Sequence, residues 1–280
     1  MTRHFEAADG RRLAYQDSDT PGPAVLCLAG LTRNGRDFAG LAAHLADRYR
    51  VLRLDSRGRG MSDWAEAPLT EYTVPVESAD ALALLNHLDI PRAAIIGTSR
   101  GGVLGMILGA TQRQRVSGLV LNDVGPVIKR QGLDDIMVYL GVEPKVDSFE
   151  AAAEVLQQTM GPTFPDVTPI QWLGFARTIY RDEGGRPRLR YDARLRDAVA
   201  VALEHTPPDL WDLFAALEGL PILTLRGANS VLFSAETLSE MARRRPDMAQ
   251  AVVPNRGHPP FLDEPVALAA INAFLEEHTA

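Results

Sequence analysis

The pentapeptide Gly97-Thr98-Ser99-Arg100-Gly101 follows the apolar run Ala93-Ala94-Ile95-Ile96 and opens a segment rich in helix formers. A strand that turns into a helix within so few residues strains the backbone and packs it against its neighbours, so the outer positions need residues without bulk. Gly97 and Gly101 meet that need, and Gly102 adds room. The turn lifts the Ser99 hydroxyl out of the chain with a helix N-terminus beneath it, the place for an activated nucleophile. A bare Gly-x-Ser-x-Gly spacing occurs by chance in many proteins; the strand before it and the helix after it give it meaning here.

The elbow is part of a longer alternation. After two short N-terminal strands the pattern reads strand at Val25, helix over 36–47, strand at Val51, helix over 76–88, strand at Ala94, helix from Gly101 and strand at Gly118. It predicts a mostly parallel sheet with helices on both faces. From 127 to 218 the rhythm breaks into helical patterns and Pro/Gly turns without a convincing strand, and it resumes at Pro221. A span of that size is no simple loop. It is expected to be a helical cap over the C-terminal edge of the sheet, where ligands bind in open α/β folds, with 1–126 and 219–280 as the core. Tyr139, Trp172, Phe175, Tyr180 and Trp211 are the large apolar side chains of that cap. Most such aromatics pack internally; Tyr139 and Trp172 are expected to face the substrate in an apolar pocket with a few polar anchors.

A serine hydroxyl is a poor nucleophile until a base takes its proton, and the base must be held by a third group. His258 is the best candidate base. It lies in the turn-rich loop Asn255-Arg256-Gly257-His258-Pro259-Pro260, after the β-like run Ala249–Val253 and before the last helix. His4 is near the N-terminus, His44 and His87 lie in helical patterns, His205 precedes a Pro-Pro turn and His278 is in the tail. Only His258 combines a strand-end loop with the chain order nucleophile, acid, histidine; its plain alternative is an ordinary surface-loop histidine.

Together these features resemble the α/β-hydrolase superfamily, in its esterase, lactonase and C–C hydrolase branch, over nearly the whole chain. The run Ala24–Leu28 and then Ala29-Gly30-Leu31 resemble the strand and His-Gly loop that supply half of an oxyanion hole. Residues 49–54 followed by Asp55-Ser56-Arg57-Gly58-Arg59-Gly60-Met61-Ser62-Asp63 are similar to the Asp-x-Arg-Gly-x-Gly-x-Ser loop. Residues 117–121 and Asn122-Asp123-Val124-Gly125-Pro126 look like the sixth strand and its exit. The resemblance implies an eight-stranded, mostly parallel sheet with a helical cap. It also implies oxyanion donors in the amides of Leu31 and Arg100. Ala29 stands where a histidine is usual, and backbone donors carry that role regardless.

The chain departs from the pattern after the seventh strand. Residues 221–225 lead into Arg226-Gly227-Ala228-Asn229-Ser230-Val231-Leu232-Phe233-Ser234, and Val231 stands where most members keep the triad aspartate. A valine can neither accept the Nδ1 proton nor stabilise an imidazolium. Glu236 falls inside the following helix. Some members place the acid after the sixth strand instead, which here is Asp123; its alternative role is to cap a turn beside Gly-Pro. Asp263 and Asp55 are further candidates. Arg33, Asn34 and Arg100 crowd the oxyanion loop, either as a network that locks it or, with Arg33 foremost, as a recognition site for an acidic or strongly polar group.

Composition sets outer bounds. A chain of 280 residues with 46% hydrophobic content is long and apolar enough for a packed core. A net charge of −7 offers no basic stripe for nucleic acid or an anionic membrane. Lys129 and Lys145 are the only lysines among many arginines, as a GC-rich bacterial source would give. Cys27 is alone, so the chain has no internal disulfide, and it reads as a buried small hydrophobe. Residues 1–12 are polar, unlike a signal peptide, and the chain is expected to be cytoplasmic, a monomer or homodimer. No metal cluster or phosphate loop is recognised, Gly58-Arg59-Gly60 lacking the P-loop lysine, and no cofactor is expected. The expected activity is hydrolysis of an ester, lactone or activated C–C bond in a small, partly apolar molecule. A cofactor-free perhydrolase and a weakly catalytic binding protein, the latter favoured by Val231, are the alternatives.

Overall fold

The computed structural model describes residues 1–204 and 209–279; His205 and the Pro-Pro turn after it lie outside them. The chain begins with β1 (Thr2–Glu6) and β2 (Arg12–Asp17), followed by β3 (Ala24–Leu28), α1 (Ala39–Leu45) and β4 (Arg50–Leu54). Next come α2 (Pro68–Glu71), α3 (Val74–His87), β5 (Ala93–Thr98), α4 (Arg100–Thr111) and β6 (Val116–Asn122). The intervening region contains α5 (Arg130–Tyr139), α6 (Phe149–Met160), α7 (Pro169–Ile179), β7 (Tyr180–Glu183), β8 (Arg186–Leu189), α8 (Leu195–Leu203) and α9 (Trp211–Ala215). The chain then returns through β9 (Ile222–Gly227), α10 (Ala235–Arg244), β10 (Ala249–Val253) and α11 (Pro265–His278).

Eight strands form one sheet in the order β1-β2-β4-β3-β5-β6-β9-β10. Pairing is antiparallel through β1, β2 and β4 and parallel from β4 onward. This is the doubly wound architecture that the alternation predicts. Its winding reverses at β3: the chain moves one way to β4 and the other way to β5. The carboxyl ends of β3 and β5 therefore lie side by side at the point of reversal, the place where ligands bind in open α/β sheets. Ala29-Gly30-Leu31 and Ser99 sit at those two ends.

Strand alternation divides the core into two faces. Leu26, Leu28, Leu52, Leu54, Ile95, Leu119 and Leu121 pack with Leu84 of α3 and Leu104 of α4. Val25, Cys27, Val51, Ala94, Ile96 and Val120 pack on the other face with Leu41 and Leu45 of α1 and Ile271 and Phe274 of α11. Burial pushes the Cys27 thiol up to about 12 against a smaller effect of Arg53, so it stays protonated in the core.

The region between β6 and β9 has its own apolar centre around Phe149, Leu156, Phe164 and Trp172. Its helix starts are locally encoded. Ser148 accepts from Ala151 N–H to cap α6, and Thr168 with Gln171 forms a capping box ahead of Pro169 at α7. The pattern of 127–218 predicts no strand there, and the structure differs: β7 and β8 form a separate antiparallel hairpin outside the main sheet. Gly184 and Gly185 join them with φ of 63° and 88°, a turn that suits the twist of the two strands and that side chains would strain. That Gly-Gly pair is the signal in the sequence; Tyr-Arg-Asp-Glu shows no apolar alternation, and Arg-Pro-Arg-Leu alternates over only four residues with a proline as one of its two apolar positions. Among the described residues no helix is long and apolar enough to cross a membrane.

Candidate active site

Ser99 joins β5 to α4 with φ 50° and ψ −116°, a conformation that costs an L-residue energy and persists where the surroundings enforce it. A Cβ on Gly97 would come within 2.4 Å of the Gly101 carbonyl oxygen, and one on Gly101 within 2.0 Å of the Leu28 carbonyl oxygen. Neither position admits a side chain. The Ser99 N–H donates to the Asn122 carbonyl at 3.0 Å, which ties the elbow to the end of β6.

Two residues remote in sequence converge on this serine. His258 Nε2 lies 3.0 Å from Ser99 Oγ, and His258 Nδ1 lies 2.6 Å from Asp123 Oδ2. A proton on Nδ1, shared with the carboxylate, leaves Nε2 as the acceptor facing the hydroxyl. Asp123 is fully buried just beyond β6, with φ 57°. The loop after β9 holds it: Gly227 N–H donates to Oδ1 at 2.8 Å and the Ser230 hydroxyl to Oδ2 at 2.6 Å. Where that loop lacks a carboxylate it provides donors, and Val231 points away with 49% of its surface exposed. Ser230 carries no distinctive signal in the sequence; its place beside the missing acid is the only hint.

The other carboxylates considered lie elsewhere. Asp55 accepts from Gly35 N–H at 2.7 Å and Met61 N–H at 3.0 Å, holding the loop after β4, and burial raises its pKa against those bonds. Glu236 occupies the first turn of α10. Asp263 is raised by burial and by neighbouring Glu264. Among the described residues none of them bonds to His258.

The loop after β3 packs directly on the elbow, since a Cβ on Gly30 would lie 3.8 Å from Ser99 Cβ and 3.4 Å from Arg33 Cγ. Among the described residues the N–H groups of Leu31 and Arg100 donate to no protein acceptor. Arg100 opens α4, and a first-turn N–H has no partner within its helix. The polar side chains of this region separate into two roles. Asn34 is buried, accepts from Arg36 N–H at 3.1 Å and donates to the Thr178 carbonyl at 3.4 Å, so it locks the loop to α7. The Arg100 side chain turns inward to Glu77 and the Tyr72 carbonyl.

Arg33 is different. Its Nε and Nη2 donate to Asp37 at 2.6 and 2.9 Å, and its guanidinium lies 4.3 Å from the centre of the Phe175 ring. Nη1 makes no hydrogen bond among the described residues. Tyr139 is half exposed at the end of α5, yet burial raises its phenol above the ordinary value while Arg33 opposes the rise. Tyr180 shows the same balance. Arg33 thus lies near enough to both phenols for its charge to act on them, and its contact with Phe175 places it against α7. Trp172, expected to face the substrate, is corrected by the structure: it is 1% exposed in the apolar centre of the region between β6 and β9. Phe164, Phe175 and Phe261 surround the indole edge-to-face, and Phe261 also stacks on Phe164, so this cluster packs that region on the His258 loop. Among the described residues no His, Cys, Asp and Glu group has a metal-binding arrangement.

Comparison with known proteins agrees with this architecture. The model of the Alpha/beta hydrolase family matches residues 25–271. The chain is 35% identical over 273 residues to a 3-hydroxybutyrate-oligomer hydrolase from Cupriavidus necator, covering 94% of this chain and 92% of that one. It is 29% identical to a 2-(acetamidomethylene)succinate hydrolase from Mesorhizobium japonicum over 91% of this chain and 88% of that protein. A crystal structure of an alpha/beta hydrolase from Novosphingobium aromaticivorans superposes with a TM-score of 0.92 at 41% identity, covering 99% of this chain and 98% of the other. A match that spans the sheet, the elbow and the region between β6 and β9 together makes this chain a member of the alpha/beta hydrolase family.

Proposed function

We propose that the protein is a serine hydrolase that cleaves carboxylic esters of small hydroxy acids through an acyl-enzyme on Ser99. The observation that carries this reading is the unbroken hydrogen-bonded series from Ser99 Oγ through His258 to buried Asp123, set at a strained elbow. As Ser99 Oγ attacks the ester carbonyl carbon, its proton passes to His258 Nε2, and Asp123 stabilises the imidazolium that forms. The carbonyl oxygen gains its charge opposite the Leu31 and Arg100 amides. His258 then protonates the leaving alkoxide. Water, deprotonated by the same imidazole, attacks the acyl carbon and releases Ser99.

Substrate choice follows from what lies beside the nucleophile. Arg33 neutralises Asp37, so the pair offers a directed donor at Nη1 more than a net positive charge. Such a donor suits a carboxylate or ester carbonyl several atoms from the reacting bond, and Tyr139 and Tyr180 supply a half-apolar wall. A short oligoester ending in a free carboxylate has both features. The relative named as a 3-hydroxybutyrate-oligomer hydrolase supports that class. Cleavage of the p-nitrophenyl monoester of a dicarboxylic acid, against a neutral acyl ester of equal length, tests the reading. Arg33→Met should raise KM for the acidic ester by about tenfold to a hundredfold, the scale of one hydrogen bond to a charged group, and leave the neutral ester unchanged. Equal effects on both esters would remove the acidic-substrate reading. Fluorophosphonate labelling of a serine other than Ser99 would remove the nucleophile.

A further inference from the structure

A charged cluster beneath the elbow takes no part in the proposed proton transfers, yet it touches both residues assigned as oxyanion donors. Glu77 comes from the first turn of α3 and is 1% exposed. Its Oε1 accepts from Arg59 Nη1 at 3.0 Å and from Arg100 Nη2 at 2.8 Å, and its Oε2 accepts from Arg100 Nε at 3.0 Å. Arg59, also 1% exposed, gives its Nε to the Leu31 carbonyl at 2.8 Å and its Nη1 to the Arg57 carbonyl at 2.7 Å. Arg100 is thus gripped through its own side chain, and Leu31 through Arg59.

Burial pushes Glu77 toward the neutral form, but the charges and hydrogen bonds of Arg100 and Arg59 outweigh it and hold the carboxyl below its ordinary range. The group is therefore a buried carboxylate held between two guanidiniums. Its partners leave it little freedom, because a charge-assisted bond given up in the interior is not replaced by water. Leu31 cannot rotate without pulling its carbonyl from a buried guanidinium. The first turn of α4 cannot shift without stretching the Arg100 pair.

We propose that Glu77 is a positioning residue for the oxyanion hole: one buried carboxylate that sets the Leu31 and Arg100 amides at a common spacing. The proposal rests on the serine-hydrolase reading above. Oxyanion donors act through distance to an oxygen that carries charge only in the transition state, so loosening them lowers kcat more than it raises KM. Removing one such donor costs about 10²–10³ in kcat. A residue acting one step behind both donors should cost about tenfold to a hundredfold, with KM within about twofold.

The test uses Glu77→Gln and Arg100→Met in the full chain, with kcat normalised to sites titrated by a fluorophosphonate. A trifluoromethyl ketone carrying a ¹³C-labelled carbonyl is then bound. Ser99 Oγ adds to the ketone carbon, the hydroxyl proton moves to His258, and the ketone oxygen becomes the hemiketal oxyanion. Titration of the ¹³C shift reads that oxygen's pKa. Glu77→Gln is expected to lower kcat by the stated factor and to raise the hemiketal pKa by about one unit, as a tenfold loss of oxyanion stabilisation requires. Arg100→Met leaves Glu77 paired with Arg59 and should move both readouts in the same direction by less. If Glu77→Gln does not fold, Arg100→Met alone decides. Normal kcat and hemiketal pKa in the folded variants overturn the proposal, as does loss of fold in both, which would make Glu77 a stability residue. Full activity of Ser99→Ala would instead bring down the serine-hydrolase reading itself.

Discussion

Asp123 and Glu77 are both buried carboxylates beside the Ser99 elbow, 0% and 1% exposed, and they are held in opposite ways. Asp123 is surrounded by a backbone N–H, a serine hydroxyl and one imidazole. Glu77 is surrounded by two guanidiniums. The neutral donors orient Asp123 without a cation among them, which suits the proposed role beside an imidazolium formed during turnover. Two guanidiniums more than offset the single charge of Glu77, so the role proposed for that carboxylate is to fix the positions of its partners. A buried carboxylate can thus support a reaction by its field or by its grip, and its partners decide which.

The comparison can be broken at several points. The largest effect is expected at the proposed nucleophile: Ser99→Ala should lower ester turnover by about a million-fold, leaving what the proposed oxyanion hole and binding supply alone. Steady-state kinetics with a p-nitrophenyl ester measures this, and a loss of less than about a hundredfold would make both assignments moot. Next, Asp123→Asn keeps the shape but can favour the wrong imidazole tautomer, and kcat should drop by about ten-thousand-fold with circular dichroism unchanged. A variant with normal turnover would leave Asp123 a turn residue. Val231→Asp in that background should restore little, because the Val231 side chain is half exposed.

Smaller effects sharpen the contrast. Ser230→Ala removes one neutral donor from Asp123 Oδ2 and should lower kcat about tenfold, near the worth of one hydrogen bond to a charged group. No change would mean that Gly227 alone orients the carboxylate. The last test is the pH dependence of stability. Glu77 in the folded chain lies below its ordinary 4.5, so its ion pairs contribute fully above that value, and the contribution is lost as pH falls through the folded value. Thermal melts from about pH 6 to about pH 3 should show a steeper loss of Tm in the wild type than in Glu77→Gln. Parallel curves would mean that Glu77 is no better paired in the folded state than in the unfolded one.

The elbow is legible because its constraint is local. Gly97 and Gly101 must lack Cβ atoms for the strand to turn, and that demand shows in residue types at fixed spacing. His258 is legible by its loop and by elimination. The β7–β8 hairpin is masked because β7 is polar throughout after Tyr180 and β8 alternates over only four residues, so Gly184-Gly185 stands with little pattern around it. Trp172 is ambiguous for a different reason: an aromatic at helical spacing packs equally well inward or toward a ligand, and only the positions of Phe164, Phe175 and Phe261 decide.

What the sequence by itself determined is what near neighbours dictate: the alternation of strands and helices, the strained turn at Ser99, the length of chain set aside between β6 and β9, and the absence of an acid at Val231. What the tertiary structure decided is every pairing across the fold. Asp123 meets His258 across 135 residues and Ser230 across 107, and Arg59 reaches Leu31 across 28. No spacing rule reaches so far, because those distances are set by the order in which strands lie side by side. Once β6 lies between β5 and β9, the ends of all three strands open on one edge of the sheet, and a carboxylate after β6 stands within reach of both the β9 loop and His258.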